Sequence, residues 1–362
     1  MTSPAQILLL GTGAFAARIA FDVAGTAEFP VRVVVAGRNR LRLDWLRTAA
    51  NARAAIFGTP ARFTTREVDL LAPDAAADLV GEVRPAVVIE AASVQTSAVI
   101  AAAGDAWSRL VAEGGLSATA VFQAVLAARV ARAVRDAHPA AQLVNCCFPD
   151  VVNGMLAAIG LPVTCGTGNV AILASAFVGT FAMAPGAPPD VQVLAHYQTL
   201  GPWRRPPPER AGPPPRVWVD GEEVADVFAR FAAVQLTAEP AIEVSGAAGV
   251  PLVLAMVSGN TWSGHVPGPH GLPGGYPVRW QDGTLSLRLP AGLSRDAAIA
   301  WNAQFEAANG LVLYGTRVRY TGRLAECLRA VSPQIAAGFD LADLDLAHRA
   351  MHDLRNRMQS RA

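Results

Sequence analysis

Charge is scarce in this chain. Asp, Glu, Lys and Arg make up 16% of its 362 residues, and the formal net charge is +1. Such a chain offers no broad basic face to nucleic acid and no polybasic segment to an anionic membrane. Cysteine is scarce as well. Cys146, Cys147, Cys165 and Cys327 have no C-x-x-C spacing, which excludes a disulfide framework and a zinc pattern. Buried thiols in a reducing compartment are expected, and a cytoplasmic location with them. The apolar start has no basic segment and no cleavage site, so no signal peptide is expected. No apolar run both reaches 18 residues and lacks breakers, so no transmembrane helix is expected. Hydrophobic residues make up 52% of the chain, enough for the cores of about two domains.

The most informative stretch is ILLLGTGAFAAR, residues 7–18. Ile7 to Leu10 read as a buried strand that runs into Gly11, Thr12 and Gly13. Ala14, Phe15 and Ala16 then open a helix. This pattern sets a dinucleotide pyrophosphate on a helix N-terminus. Gly11 allows the tight turn and Gly13 the close approach of backbone to phosphate. Ala16 stands where the helix must pack closely on the strand. A second strand, Val31 to Ala36, follows at the spacing of a βαβ unit. The alternative is a doubly wound domain whose glycine turn is only structural.

The end of the second strand selects the cofactor. An NAD site usually has Asp or Glu there, whereas this chain has Ala36, Gly37, Arg38, Asn39 and Arg40. Two guanidiniums flanking a short amide suit a 2′-phosphate. NADP(H) is therefore favoured over NAD(H). The plainer reading is a solvated basic start to a helix.

Ala61 to Val68 reads as a third strand, with Asp69 just after it, either near the adenine or in a solvated loop. Asp74 is placed to cap a helix over 75–83. Residues 86–91 form a fourth strand. At its carboxyl end Ala92, Ser93, Gln95 and Thr96 are candidates to touch ribose or nicotinamide. A long helix over 118–137 and a fifth strand, 142–145, lead to VNCCFPDVVN. Asn145, Asp150 and Asn153 are then available to orient substrate or nicotinamide amide. Alternatively, Asp150 simply caps the helix 151–159.

Residues 7–96 resemble the NADP-binding domain of the saccharopine dehydrogenase-like family. The resemblance rests on LLLGTGAFAAR, VVVAGRNR, the acid in VDL and VVIEAAS. It implies a Rossmann domain, a discontinuous α/β substrate domain and reduction of imines formed between amino acids and carbonyl compounds. VNCCFPDVVN also resembles the Asn-Pro strand end of the lactate/malate and opine dehydrogenase-type folds.

The second half reads as a substrate domain. Cys165 to Asn169 form a glycine-rich bend, either a second phosphate cradle or a domain crossover. Residues 191–197 alternate like a strand that ends in His196 and Tyr197, a secondary candidate pair. Residues 203–216 hold six prolines and read as a surface excursion. Strands are expected at 216–219, 241–244 and 251–258. Residues 259–278 hold six glycines and four prolines among His265, His270 and Tyr276, the pattern of a shaped loop that carries function. A dehydrogenase needs a proton donor near the carbon that gains hydride. His265, His270 and Tyr276 are the candidates, and packing is the plain alternative. No Cys or carboxylate completes a metal set around these histidines, and His348 and His352 fit a helix face. Ser294 is expected to cap a helix over 295–308. Residues 311–320 alternate as a strand, and 324–358 are largely helical around Pro333.

The expected fold is α/β. A Rossmann doubly wound parallel sheet over 1–150 is followed by an α+β substrate domain, 151–322. C-terminal helices, 323–362, would pack back on the Rossmann domain or on a dimer partner. The favoured function is an NADP(H)-dependent oxidoreductase acting on an imine or a small amino/keto acid, a substrate with a carboxylate or an amine. Arg204 or Arg279 would hold the carboxylate, and a homodimer is expected. The competing classes are an NADP(H)-sensing regulatory protein and a non-redox enzyme with a tightly held nucleotide.

Overall fold

The computed structural model describes residues 6–95, 104–182, 186–237 and 241–360. Its first layer is a five-stranded parallel sheet in the order β3-β2-β1-β4-β5. The strands are β1 (Gln6–Leu10), β2 (Val31–Gly37), β3 (Ala61–Glu67), β4 (Val87–Glu90) and β5 (Gln142–Asn145). The order reverses at β1, so the crevice beyond the carboxyl ends of β1 and β4 is where an open α/β sheet takes a ligand. Beyond β5, a single parallel bridge pairs Val144 with Cys165.

The helices around the sheet are α1 (Ala14–Thr26), α2 (Arg40–Phe57), α3 (Ala75–Val83), α4 (Ala106–Gly114) and α5 (Ala120–Ala137). One face of the sheet, with Leu8, Leu10 and Val88, packs on α3 and α5. The other face, with Ile7, Leu9 and Ile89, packs on α1 and α2. The alternation follows from the period of two along a strand. The stretch Leu116–Ala137 is long and apolar enough to cross a membrane, but 89% of its apolar window is buried in the protein. Core helices of this kind pass the same test. Asp74 lies before α3 at φ 59 and makes no side-chain cap, so the expected cap is absent.

Beyond β5 come α6 (Val151–Ala158) and α7 (Val170–Gly179). The sheet β6 (Val191–Leu194), β7 (Arg216–Val219) and β8 (Glu222–Glu223) follows. The two strands expected at 241–244 and 251–258 are instead helices, α8 (Ile242–Ala248) and α9 (Val250–Ser258). Branched residues there imitate a buried strand. Pro251 in the first turn and Gly259 at φ +76 after the last turn are helix punctuation.

The expected loop 259–278 is also corrected. Its two ends form β9 (Trp262–Pro267) and β10 (Gly275–Gln281), paired antiparallel, with β11 (Thr284–Leu287) alongside. Gly264 is a packing glycine, because a Cβ there would stand 2.2 Å from the Trp262 ring.

Ser294 caps α10 (Arg295–Ala303), its hydroxyl accepting from the amide of Ala297. Residues 311–320 are a hairpin, β12 (Leu311–Tyr314) and β13 (Arg317–Tyr320), not one strand. The reversal is at Gly315, φ +57. After α11 (Gly322–Val331) and the short strand β14 (Phe339–Asp340), α12 (Leu344–Gln359) closes the chain. Leu344, Met351, Leu354 and Met358 share the core of α5.

Candidate functional site

At the carboxyl edge of β1, Gly11 sits at φ +120. A Cβ there would meet the Ala91 carbonyl oxygen at 2.8 Å, so only glycine passes between the two strand ends. Gly13 begins α1 with no side-chain cap, and the first turn carries no acid. Nothing lies within 4 Å of where a Gly13 Cβ would stand. The N–H groups at Ala14 and Phe15 therefore open outward without intrahelical partners. Ala16 is fully buried against the sheet. This is an anion cradle at a helix N-terminus, and it fits a pyrophosphate.

The β2 end gives a more divided result. Arg38 and Arg40 are exposed, and β2 itself ends without a carboxylate, while the exposed Glu67 of β3 stands in register with Gly37. Asn39 is the cap of α2, accepting from the amide of Arg42 at 3.0 Å. Its carbonyl end is thus committed to the helix, and only its NH2 is left for a ligand. Arg42 donates from Nε to the Thr12 carbonyl at 2.6 Å and ties α2 to the glycine turn. Asp69 is exposed and accepts from the amide of Leu71 at 3.0 Å, a local turn.

At the end of β4 the backbone is already occupied. The Ala92 amide donates to Glu90 Oε1 at 3.1 Å, and the Ala92 carbonyl accepts from Cys147 Sγ at 3.3 Å. Ser93 Oγ donates to the Gln95 carbonyl and accepts from the Gln95 amide at 3.1 Å. Ala92 and Ser93 therefore shape the strand end through their own bonds. Thr96 lies outside the described residues.

Asn145 is likewise structural at both ends. Its Nδ2 donates to Asn153 Oδ1 at 2.6 Å, and its Oδ1 accepts from the Cys147 amide at 3.2 Å. Asn153 in turn donates to the Gly268 carbonyl at 3.4 Å. This buried pair holds the β5 turn to the loop after β9. The bend at residues 165–169 is a crossover rather than a second cradle. The Gly166 amide donates to the Pro267 carbonyl at 2.7 Å, and a Cβ on Gly168 would stand 2.9 Å from Ser245.

Asp150 does not cap α6. Its carboxylate accepts from Asn169 Nδ2 at 2.6 Å, an amide placed by the φ of +46 that Asn169 adopts before α7. Burial pushes the Asp150 carboxyl up to about 7. The Asn169 bond and the nearby His196 pull it down, and Glu306 pushes it up. His196 itself is 2% exposed, and its Nε2 lies 3.3 Å from Glu306 Oε1. Its Nδ1 accepts from the Gln198 amide at 3.1 Å, so the ring proton belongs on Nε2, facing the carboxylate. Phe305 stacks on the imidazole at 5.4 Å. Glu306 Oε2 is buried without a hydrogen-bond partner among the described residues. Phe148 and Tyr197 pack at 4.6 Å, and the Arg204 guanidinium lies over the Tyr197 ring at 5.9 Å.

Of the expected loop acids and bases, only Tyr276 lies near enough to the cluster to feel the charge of Glu306. His265 lies in β9, where its Nε2 accepts from the amide of Val193 at 2.9 Å. Burial drives its pKa down to about 3, so the ring stays neutral and cannot deliver a proton. Tyr276 is fully buried, and its hydroxyl donates to the Pro273 carbonyl at 2.7 Å. Burial pushes it up to about 12. His270 turns at φ +51, and its Nε2 lies 2.9 Å from the Leu285 carbonyl oxygen. Strand pairing accounts for His265 and Tyr276, which lie in β9 and β10, while His270, itself exposed, stands in the turn between them and fastens it to β11. Arg279 is exposed on β10, with Ser263 opposite it.

The residues that sequence reasoning undervalued are His196 and Glu306. His196 carried a weak signal, as a polar residue at a strand end. Glu306 carried none, because 110 residues separate it from His196 and the turn of chain after α10 brings it back. The chain also has no lysine, so every side-chain cation with a high pKa is an arginine. Among the described residues no group of His, Cys, Asp and Glu could hold a metal.

Neither a family model nor a curated protein matches the sequence. Solved structures do match. The lactate dehydrogenase of Cryptosporidium parvum, in complex with lactic acid and nicotinamide adenine dinucleotide, is 16% identical. The match covers 98% of this chain and 99% of that one at a TM-score of 0.52. The malate dehydrogenase of Salinibacter ruber is 16% identical over 84% of this chain and 96% of that one, at 0.53. That of Picrophilus torridus is 12% identical over 85% and 96%, at 0.54. At such identities the likeness shows the fold. It agrees with the Rossmann half of the resemblance seen in residues 7–96 and does not single out the saccharopine dehydrogenase-like family.

Proposed function

We propose that the protein is an NADP(H)-dependent dehydrogenase that reduces, or forms by oxidation, the C=O or C=N group of a small carboxylate-bearing substrate. The observation that carries this reading is Asp150, held by Asn169 beside His196 and Glu306, with a carboxyl that burial pushes up to about 7. A group poised near the working pH is suited to give or take the proton that accompanies hydride transfer.

The glycine turn would hold the pyrophosphate, and Arg38 and Arg40 the 2′-phosphate. When bound, the dinucleotide supplies or accepts the hydride. Asp150 holds the exchanging proton on its carboxyl. Asn169 orients that carboxyl, and the His196–Glu306 pair sets the local charge that Asp150 feels. Arg204, steadied on the Tyr197 ring, would take the substrate's carboxylate. The ligands of the Cryptosporidium lactate dehydrogenase, lactic acid and a nicotinamide dinucleotide, are of the same chemical kind.

The test is NADPH oxidation against a panel of 2-keto acids, alone and with amines. Asp150→Asn should lower kcat by about 10²- to 10⁴-fold, the range for one general acid, while NADPH binding stays unchanged. Full activity in that variant would remove the assignment.

A further inference from the structure

Glu90 is the last residue of β4, paired in register with Leu10 on one side and Asn145 on the other. It therefore lies between the glycine turn and the β5 turn, at the edge where the dinucleotide is placed. It is fully buried. Its Oε1 accepts from the Ala92 amide at 3.1 Å and lies 3.9 Å from Cys147 Sγ. Its Oε2 is buried and has no hydrogen-bond partner among the described residues. The titratable groups that face it are the thiols of Cys147 and Cys146. Leu10 and Asn145, its neighbours in the sheet, are uncharged. On the α5 side, Arg355 sits over the Phe122 ring at 4.7 Å and reaches Gln95, His348 packs on the same ring, and Arg129 reaches the Leu71 carbonyl and Asp345; none of these contacts is to Glu90.

We infer that Glu90 is a neutral carboxylic acid under the dinucleotide site, and that it releases its proton when an oxidised, positively charged nicotinamide ring is bound. The inference rests on the dinucleotide reading above. A carboxylate stripped of water and given no cation is too costly to keep ionised, so the folded chain protonates it. Burial pushes Glu90 well up, in keeping with this. The oxidised ring carries a positive charge that the reduced ring lacks, whereas the phosphates are common to both. The difference between the two cofactors thus cancels the phosphates and leaves the ring's effect on the acids near it, Glu90 and Asp150. A positive charge in a low-dielectric site favours ionisation of the acid. By linkage, ionised Glu90 favours the oxidised cofactor to the same degree. Atoms balance simply: the protonated protein binds the oxidised cofactor and one proton leaves to solvent.

Two measurements test this. Infrared difference spectra of the free protein, wild type minus Glu90→Gln, should show a protonated-carboxyl C=O band at pH 7. No such band would overturn the neutral state. NADP⁺ and NADPH are then titrated into weakly buffered protein with a pH indicator. With Asp150 replaced in Asp150→Asn, NADP⁺ should still release up to one proton per site more than NADPH, and adding Glu90→Gln should abolish the difference. In Asp150→Asn the ratio of NADP⁺ to NADPH affinity should rise with pH, by at most tenfold per unit, and in the Asp150→Asn/Glu90→Gln double variant it should not. Equal proton release by the two cofactors in the wild type overturns the coupling, and this comparison stands without the variant. No binding of either cofactor, read by nicotinamide fluorescence in the same titrations, would end the dinucleotide reading and the coupling with it, while the infrared band reports on Glu90 separately.

Discussion

Asp150 accepts a 2.6 Å hydrogen bond from the side-chain amide of Asn169, and it does so instead of capping the helix that it precedes. An aspartate at a helix start ordinarily satisfies the first-turn amides. Here the carboxyl turns away from its own helix toward His196 and Glu306.

The pH dependence of the reaction follows. With its carboxyl up at about 7, Asp150 is protonated below that value and ionised above it. Reduction, which needs the acid form, should fall as pH rises through about 7. Oxidation should fall as pH drops through it. In Asn169→Ala the bond that favours the carboxylate is gone, so the midpoint should move upward. Kinetic pH profiles in both directions check this, and an unchanged midpoint would detach Asn169 from Asp150.

His265 should matter to stability rather than to turnover. Its pKa is depressed in the folded state, to about 3 from 6.5. The unfolded chain takes up the proton first as pH falls. The stability contributed by neutral His265 is therefore complete above about pH 6.5 and is lost progressively below it, down to about pH 3. His265→Ala should lower the denaturation midpoint at pH 7 and flatten its acid dependence while leaving kcat within about twofold. Urea melts at pH 5 and 7 and steady-state kinetics check both halves.

Much of the first half was legible because its signals are local. The strand–glycine–helix run at 7–18 and the alternation into β2 through β5 each lie within one element. What was not legible arose from distant pairing. The glycines and prolines between Gly259 and Val278 hid two paired strands, since Pro277 and Gly264 keep pairing where their own amide or side chain is not needed. Val253 and its neighbours were branched enough to pass for a strand. Glu306 could not be joined to His196 by any spacing rule, because only the folded chain brings them together.

Gly11→Ala should damage both fold and binding. The new Cβ would meet the Ala91 carbonyl oxygen at 2.8 Å, at a φ of +120 that L-residues rarely adopt. Strain of this kind costs roughly 1–3 kcal/mol. Gly13→Ala meets nothing within 4 Å, so it should fold normally and lose only dinucleotide affinity. Melting curves and nucleotide titrations of the two variants should separate in this way.

Asn145→Ala would strip Asn153 and the Cys147 amide of their buried partners at once. Leaving buried polar groups unsatisfied costs about 1–3 kcal/mol each. A loss of this order in chemical denaturation is expected, together with a weaker site through the displaced β5 turn. A variant as stable as the wild type would refute the structural role.

The central claim is that the glycine turn and the two exposed arginines at the β2 end, Arg38 and Arg40, bind NADP(H). A fluorescence titration of the purified protein with NADPH and with NADH, repeated on the Arg38→Ala/Arg40→Ala double variant, tests it most directly. The account predicts NADPH binding tighter than NADH in the wild type, with NADPH affinity falling at least tenfold in the variant and NADH affinity little changed. Equal affinities in both proteins, or no binding of either nucleotide, would contradict it.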